Sequence, residues 1–441
     1  MADSLRSKTD ELTGKAATVS TYGFPRDGMS HAAKYILSRV ISGGVSLIPG
    51  RLKALARKRL DDFAVRHVIE DFREYCSEPP PRRALLSYLV EPLLPPRRFR
   101  NQVMFSNRGI AQEIPRSLNE LGFAVDIVDC RNASFVPRKK YDLFIGHLGI
   151  NFEKIVRHLG PDTAVIHFAT GLEWQENNRR QEHRVAEVKQ RRGYTIGTRL
   201  MEHSEEYARE MADAVICLSK RAAESFVGYR RVIPIDIAAY PVAWSGWKRK
   251  DYRAGRSHFL FFAGIGNIMK GLDLVLEAFA GTALDLYICQ IIEPDFARAF
   301  EPELTQFDNI HLENFVKMRS ARFEQLALKC DWIILPSCAE GHPGSVIECM
   351  AHGLLPIVTD GANIELPRGG IRIPSLDIEA VRSAAMLASQ MDPEEIESAA
   401  KSLVRDARVN LSPENFRANF KRAVTQVFAD RRKESQNGNS R

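Results

Sequence analysis

Two glutamates, Glu340 and Glu348, bracket the segment Glu340-Gly-His-Pro-Gly-Ser-Val-Ile-Glu348. Just ahead of it, Trp332-Ile-Ile-Leu335 is a short apolar run closed by Pro336 and Ser337, the pattern of a buried strand ending in a turn. Glu340 therefore falls on the loop at a strand's carboxyl end, and Ser345-Val-Ile-Glu348 opens a helix that runs to about His352. In open α/β sheets ligands bind outside the carboxyl ends of strands, where helix N-termini gather. Two carboxylates so placed can face a single cleft, and the Gly-His-Pro-Gly loop between them, with Gly341 and Gly344 flanking His342 and Pro343, suits a close approach to its backbone. A second reading covers Glu348 alone: Ser345-x-x-Glu348 is also a capping box. It leaves Glu340 and the Gly-His-Pro-Gly loop unexplained.

A second constellation lies upstream, in Phe262-Ala-Gly-Ile-Gly-Asn-Ile-Met-Lys-Gly-Leu-Asp273. Here a strand runs into a loop carrying Gly264 and Gly266, and Lys270 stands just before a helix led by Gly271. Small residues admit an anion to backbone amides and a lysine adds a point charge. The loop is neither a Walker loop nor a G-x-G-x-x-G dinucleotide turn. Taken alone it is equally compatible with an ordinary turn.

Taken together, the Lys270-Gly-Leu-Asp loop and the two-glutamate segment resemble those of the retaining GT-B glycosyltransferases of the glycogen-synthase and family-four type. The resemblance is good over residues 258–430, thinner over 81–240, and silent on 1–80. It implies a catalytic pair: Glu340 contacting the donor sugar and orienting its anomeric carbon, and Lys270 binding the donor diphosphate. It implies that Glu348 holds the nucleotide ribose, with Gly344 and Ser345 adding amides to the anion. Gly264, Gly266, Gly341 and His342 belong to the same substrate-binding loops. It also implies a UDP- or GDP-linked donor and no cofactor or metal; no Asp-x-Asp signature occurs. One departure stands out, since Ile265 occupies a position where the family commonly has an arginine. Arg108 in Asn107-Arg-Gly109 and His147 after the strand at 141–146 are the candidates to replace that charge, although a lone histidine is more often structural. Phe168-Ala-Thr-Gly171, with Glu173 and Asn177, either lines the acceptor side or is a plain strand-to-helix loop.

The elements that must position these residues alternate strand and helix, which predicts parallel sheets with helices on both faces. Strand candidates are 84–90, 102–106, 123–129, 141–146, 163–168 and 213–218, then 259–262, 284–289, 310–312, 332–335 and 355–358. Helices are predicted over 110–121, started or interrupted at Pro115, and over 177–192, 272–279 and 321–328. At 441 residues two domains are the prior. The expected fold class is thus α/β, two Rossmann-like parallel-sheet domains facing a cleft (GT-B) behind an N-terminal helical extension. We place the extension at 1–80 and the acceptor domain at 81–240, joined by a C-terminal helix over 412–429. The nucleotide-sugar domain is placed at 257–411, after a basic, irregular linker at 240–251, and the tail to Arg441 is polar.

Composition narrows the class further. An apolar fraction of 44% with 27% charged residues is that of a soluble globular protein. Seven scattered cysteines without a C-x-x-C pair point to a reducing compartment and no structural zinc. No secretory leader is legible, and the apolar stretch Val40–Ile48 is too short to span a bilayer. Eight Lys/Arg fall between Lys34 and Arg66, where 34–41 and 51–60 read as two short basic amphipathic helices, suited either to an anionic membrane surface or to packing on the protein itself. The net charge of +7 comes with no nucleic-acid-reading motif. The expectation is a cytoplasmic hexosyltransferase of polysaccharide biosynthesis, peripheral on the inner membrane face, with a saccharide or lipid-linked acceptor. The rivals are a nucleotide-sugar epimerase on the same architecture and a non-catalytic, membrane-docked saccharide-binding scaffold.

Overall fold

Short runs of Val, Ile, Leu and Phe, buried on both faces, collect into two sheets. The structure, a computed structural model, describes residues 61–436 apart from 77, 79, 95–105, 148 and 240–245. The first sheet comprises β1 (Val68–Phe72), β2 (Arg82–Tyr88), β3 (Phe123–Asp129), β4 (Leu143–Gly146), β5 (Ala164–Ala169), β6 (Ala214–Leu218) and β7 (Val232–Ile235), in the order β1-β3-β2-β4-β5-β6-β7. The second comprises β8 (His258–Phe262), β9 (Asp285–Cys289), β10 (Ile310–Leu312), β11 (Trp332–Leu335), β12 (Leu355–Val358) and β13 (Ile371–Arg372), in the order β10-β9-β8-β11-β12-β13. Every pairing is parallel except that of β1 with β3. Strands β3 to β6 and β11 are buried along their whole length; β4, β6 and β11 read as unbroken apolar runs, while β3 and β5 carry the buried polar residues Asp126, Asp129 and His167.

The helices that matter here are α1 (Ser106–Glu120), α2 (Trp174–Arg192), α3 (Leu272–Phe279), α4 (Ala321–Lys329), α5 (Gly344–Ala351), α6 (Ile378–Gln390), α7 (Pro393–Asn410) and α8 (Pro413–Gln436). Helix α1 runs unbroken through Pro115, which forgoes one backbone bond without ending the helix. Helix α8 returns to the first domain. Its Arg417 meets Glu113 of α1 at 2.7 Å, Lys421 meets Glu120 at 2.6 Å, and Phe420 packs edge-on against Phe168 of β5. Both sheets belong to one compact unit that begins at Asp62.

The expected architecture of two parallel-sheet α/β domains is therefore observed, with corrections in detail. The first sheet begins before residue 81, because Val68–Phe72 adds an antiparallel edge strand within the span read as helical extension. Strands β7 and β13 and helices α6 and α7 were not anticipated. The basic segments at 34–41 and 51–60, the strand at 102–105, the linker at 240–245 and the tail at 437–441 lie outside the described residues. The rest of the linker is not irregular, since Gly246–Arg249 and Tyr252–Gly255 form short helical turns. Lys250 between them is buried: its Nζ donates to the Cys330 carbonyl at 2.7 Å and stands 3.2 Å from Asp331. Among the described residues no helix is long and apolar enough to cross a membrane.

Candidate active site

Strand order fixes where the site must be. In the second sheet the chain steps from β8 outward through β9 to β10, then returns to add β11 on the other side of β8. The crevice outside the carboxyl ends of β8 and β11 is thus a topological switch point. Lys270 stands on the loop after β8 and Glu340 on the loop after β11, so residues seventy apart in sequence meet here: Lys270 Nζ donates to Glu340 Oε1. Ser337 Oγ lies 3.0 Å from the same oxygen and 2.9 Å from the Met269 carbonyl. Cys338 N also donates to Met269 O, at 2.9 Å, which stitches the two loops together.

Gly271 makes that stitching possible. It caps α3 in the left-handed region (φ 75°), and a Cβ there would collide with the Pro336 carbonyl oxygen. Both the strain and the collision disfavour any side chain. Gly271→Ala should therefore cost about 2–5 kcal/mol of stability, measurable by urea unfolding. A loss below 1 kcal/mol would mean that the two loops are not held this closely.

Glu348 lies in the first turns of α5, as expected, but no capping box forms. The helix begins at Gly344 behind Pro343, so Ser345 falls inside it and no side chain caps the end. The Glu348 carboxylate is instead 3.2 Å from Arg319 Nη2, and Glu348 is only 2% exposed. Arg319 has left-handed backbone (φ 61°), an uncommon state for a non-glycine residue that re-aims its side chain toward α5. Gly264 is exposed and its carbonyl accepts from Gln290 Nε2; Gly266 is left-handed (φ 97°), and its carbonyl accepts from Lys270 N at 3.0 Å.

The first domain turns the carboxyl ends of its own strands toward these loops. A Cβ at Gly341 would collide with the Thr170 carbonyl beyond β5, and one at Gly344 would lie 3.0 Å from Ser106 Oγ at the head of α1. His342 Nδ1 accepts from Ile237 N, beyond β7, at 3.3 Å. Burial holds the pKa of this imidazole below its usual value against the pull of Asp236. His342 thus joins the domains through its neutral form. Between α2 and the second domain, Arg179, Arg180, Cys338, Gly361 and Ser375 line a cavity of about 330 Å³.

The two candidates for an additional cation are differently placed. Arg108 is half exposed and holds both oxygens of Glu91 at 2.8 Å. His147 follows β4 and its Nδ1–H donates to the Phe168 carbonyl at 2.9 Å; burial lowers its pKa, so it is neutral near pH 7. Glu173, expected near the acceptor side, is the N-cap of α2 and accepts from the amides of Gln175 and Glu176. Sequence reasoning missed Thr170 as the seat for Gly341, Asn363, whose Nδ2 donates to the Glu340 carbonyl, and Arg319. None carries a local motif. Among the described residues no group of three His, Cys, Asp or Glu side chains could hold a metal ion.

The arrangement of two facing parallel sheets is the GT-B fold. The chain is similar to sucrose-phosphate synthase from Thermosynechococcus elongatus, with a TM-score of 0.54 and 15% identity, covering 79% of this chain and 99% of that one. Anabaena HepE in complex with UDP-glucose gives a TM-score of 0.47 and 13% identity, covering 65% of this chain and 79% of that one. The pneumococcal O-GlcNAc transferase GtfA in complex with UDP and GlcNAc gives 0.47 and 15%, covering 65% and 57%. Likeness at these identities speaks to fold alone. No family model matches the chain, and neither does any curated protein sequence.

Proposed function

We propose that this protein is a glycosyltransferase that moves a hexose from a UDP- or GDP-sugar to a saccharide or lipid-linked acceptor, with retention of configuration and without a metal. The observation that carries the reading is the Lys270–Glu340 contact at the switch point between β8 and β11, facing the strand-end loops of the first domain. A cation and a carboxylate side by side suit a donor that is anionic at one end and rich in hydroxyls at the other. In this reading the diphosphate takes Lys270 and the sugar hydroxyls take Glu340. The nucleoside ribose is received at Glu348, beside Arg319.

As the bond from the anomeric carbon to the phosphate oxygen breaks, its electron pair leaves with the nucleoside diphosphate. The acceptor hydroxyl attacks from the same face and its proton passes to the departing phosphate. The sugar centre is oxocarbenium-like in between. Charge then grows on the phosphate, where a preorganised ammonium lowers the barrier most.

A thermal-shift panel of UDP-glucose, UDP-N-acetylglucosamine and GDP-mannose tests the first step. At a hundred times its dissociation constant a true donor stabilises the fold by about 2.7 kcal/mol. NMR of the product's anomeric proton then reads retention, and activity in EDTA reads independence of metal. No shift with any nucleotide-sugar would reject the reading. Docking of the basic segment at 34–66 on an anionic, cytoplasmic membrane face completes the proposal. The truncation that tests it in liposome sedimentation must stop at residue 60, because β1 belongs to the first sheet.

A further inference from the structure

We infer that Arg199, supplied by the first domain, is the second cation for the donor diphosphate. The inference rests on the function proposed above. A nucleoside diphosphate carries more negative charge than one lysine offsets, and Lys270 already shares its charge with Glu340. The β8–α3 loop offers no other cation: between Phe262 and Lys270 it holds only Ala263, Gly264, Ile265, Gly266, Asn267, Ile268 and Met269. Ile265, at the outer tip of that loop, is 49% exposed.

Arg199 comes to this loop from across the interface. Its Cδ lies 3.6 Å from where a Cβ on Gly266 would stand, so the arginine stem rests on the glycine whose carbonyl anchors Lys270. The backbone beneath it is held by two amides of α2. Gln181, itself buried, accepts through Oε1 from Arg199 N at 3.3 Å and Thr198 Oγ1 at 2.9 Å, and donates through Nε2 to Arg199 O at 3.1 Å. Asn178 accepts from Met201 N at 2.8 Å and donates to Met201 O at 2.9 Å. Side-chain amides that clasp the main chain on both sides of a residue fix where its side chain starts.

The charge at Arg199 is also uncommitted. Arg179, Arg180, Arg184, Arg191 and Arg192 on the neighbouring helix each pair with a carboxylate. Among the described residues Arg199 has none within ion-pair distance, and it is exposed. A planar guanidinium suits phosphate oxygens better than a second ammonium would. Because it belongs to the other domain, Arg199 grips a diphosphate only while the two domains stay closed over the β8–α3 loop.

Isothermal titration of wild type, Arg199→Ala and Arg199→Lys with UDP, GDP, uridine and guanosine separates the possibilities. Charge-assisted bonds to phosphate lead us to expect that Arg199→Ala weakens the preferred diphosphate about 10- to 100-fold. Its nucleoside should change less than about twofold, with the melting temperature unmoved, and Arg199→Lys should recover part of the loss. Equal diphosphate affinity in wild type and Arg199→Ala overturns the inference while leaving the proposed function intact. A wild type that binds neither diphosphate overturns both.

Discussion

Lys270→Met should lower kcat/KM for the nucleotide-sugar by about 10²–10³-fold, most of it in kcat. The size follows from removing one preorganised charge from the leaving group, whose negative charge grows only as the bond breaks. An interaction stronger in the transition state than in the ground state is read in kcat, whereas one equal in both is read in KM. Glu340→Gln keeps the shape and the hydroxyl-binding capacity but withdraws the negative charge beside Lys270. Its loss should be smaller and should also fall on kcat. The two side chains touch, so the double variant should lose much less than the product of the single effects. Steady-state kinetics on the three variants, with circular dichroism to confirm folding, measure this cycle. Full multiplicativity would mean that the two residues act on different parts of the reaction, and unchanged kcat in Lys270→Met would remove the lysine from the chemistry.

The pairing itself shows what was legible beforehand. Both loops could be placed at strand ends because Trp332–Leu335 and Phe259–Phe262 are unbroken apolar runs stopped by turn residues. Their contact could not be seen, because it depends on β8 and β11 being neighbours, and strand order has no local signature. Residues that act through tertiary placement alone were invisible for the same reason: Arg319 depends on an unusual backbone state and Arg199 on the Gln181 side-chain amide eighteen positions upstream. The capping template at Ser345 matched in spacing but failed in position, because Pro343 already starts the helix and leaves the serine inside it. Edge elements escaped as well. Strand β7 carries Pro234 and is half-exposed, and β13 is two residues long, so neither offers a periodic pattern to read.

Asp273→Ala should destabilise the protein by about 3–5 kcal/mol, the cost of leaving buried charge without its partner. Asp273 lies in the first turn of α3, where the helix dipole favours a carboxylate. It accepts from Arg184 Nη2 at 2.6 Å and from Arg191 Nη2 at 2.8 Å, both arriving from α2 of the other domain. Arg184 is 1% exposed and Asp273 is fully buried, so water cannot take over when the carboxylate is lost. Arg184 would keep only Glu187, a neighbour on its own helix that is partly open to solvent. For a chain of this size the loss corresponds to roughly 3–6 °C in melting temperature. Glu277→Ala is the control. It removes a partner of Arg191 and Arg192 at the more open rim of the same cluster, where Arg192 keeps Glu303, and should cost less than about 1 kcal/mol. The site should register the change too, because Asp273 lies on the same turn of chain as Lys270 and Gly271. Loosening α2 from α3 would separate the Arg199 segment from Gly266, so donor KM should rise in Asp273→Ala beyond anything seen in Glu277→Ala. A melting temperature within 2 °C of wild type would show that the two halves are held together by something other than this buried ion cluster.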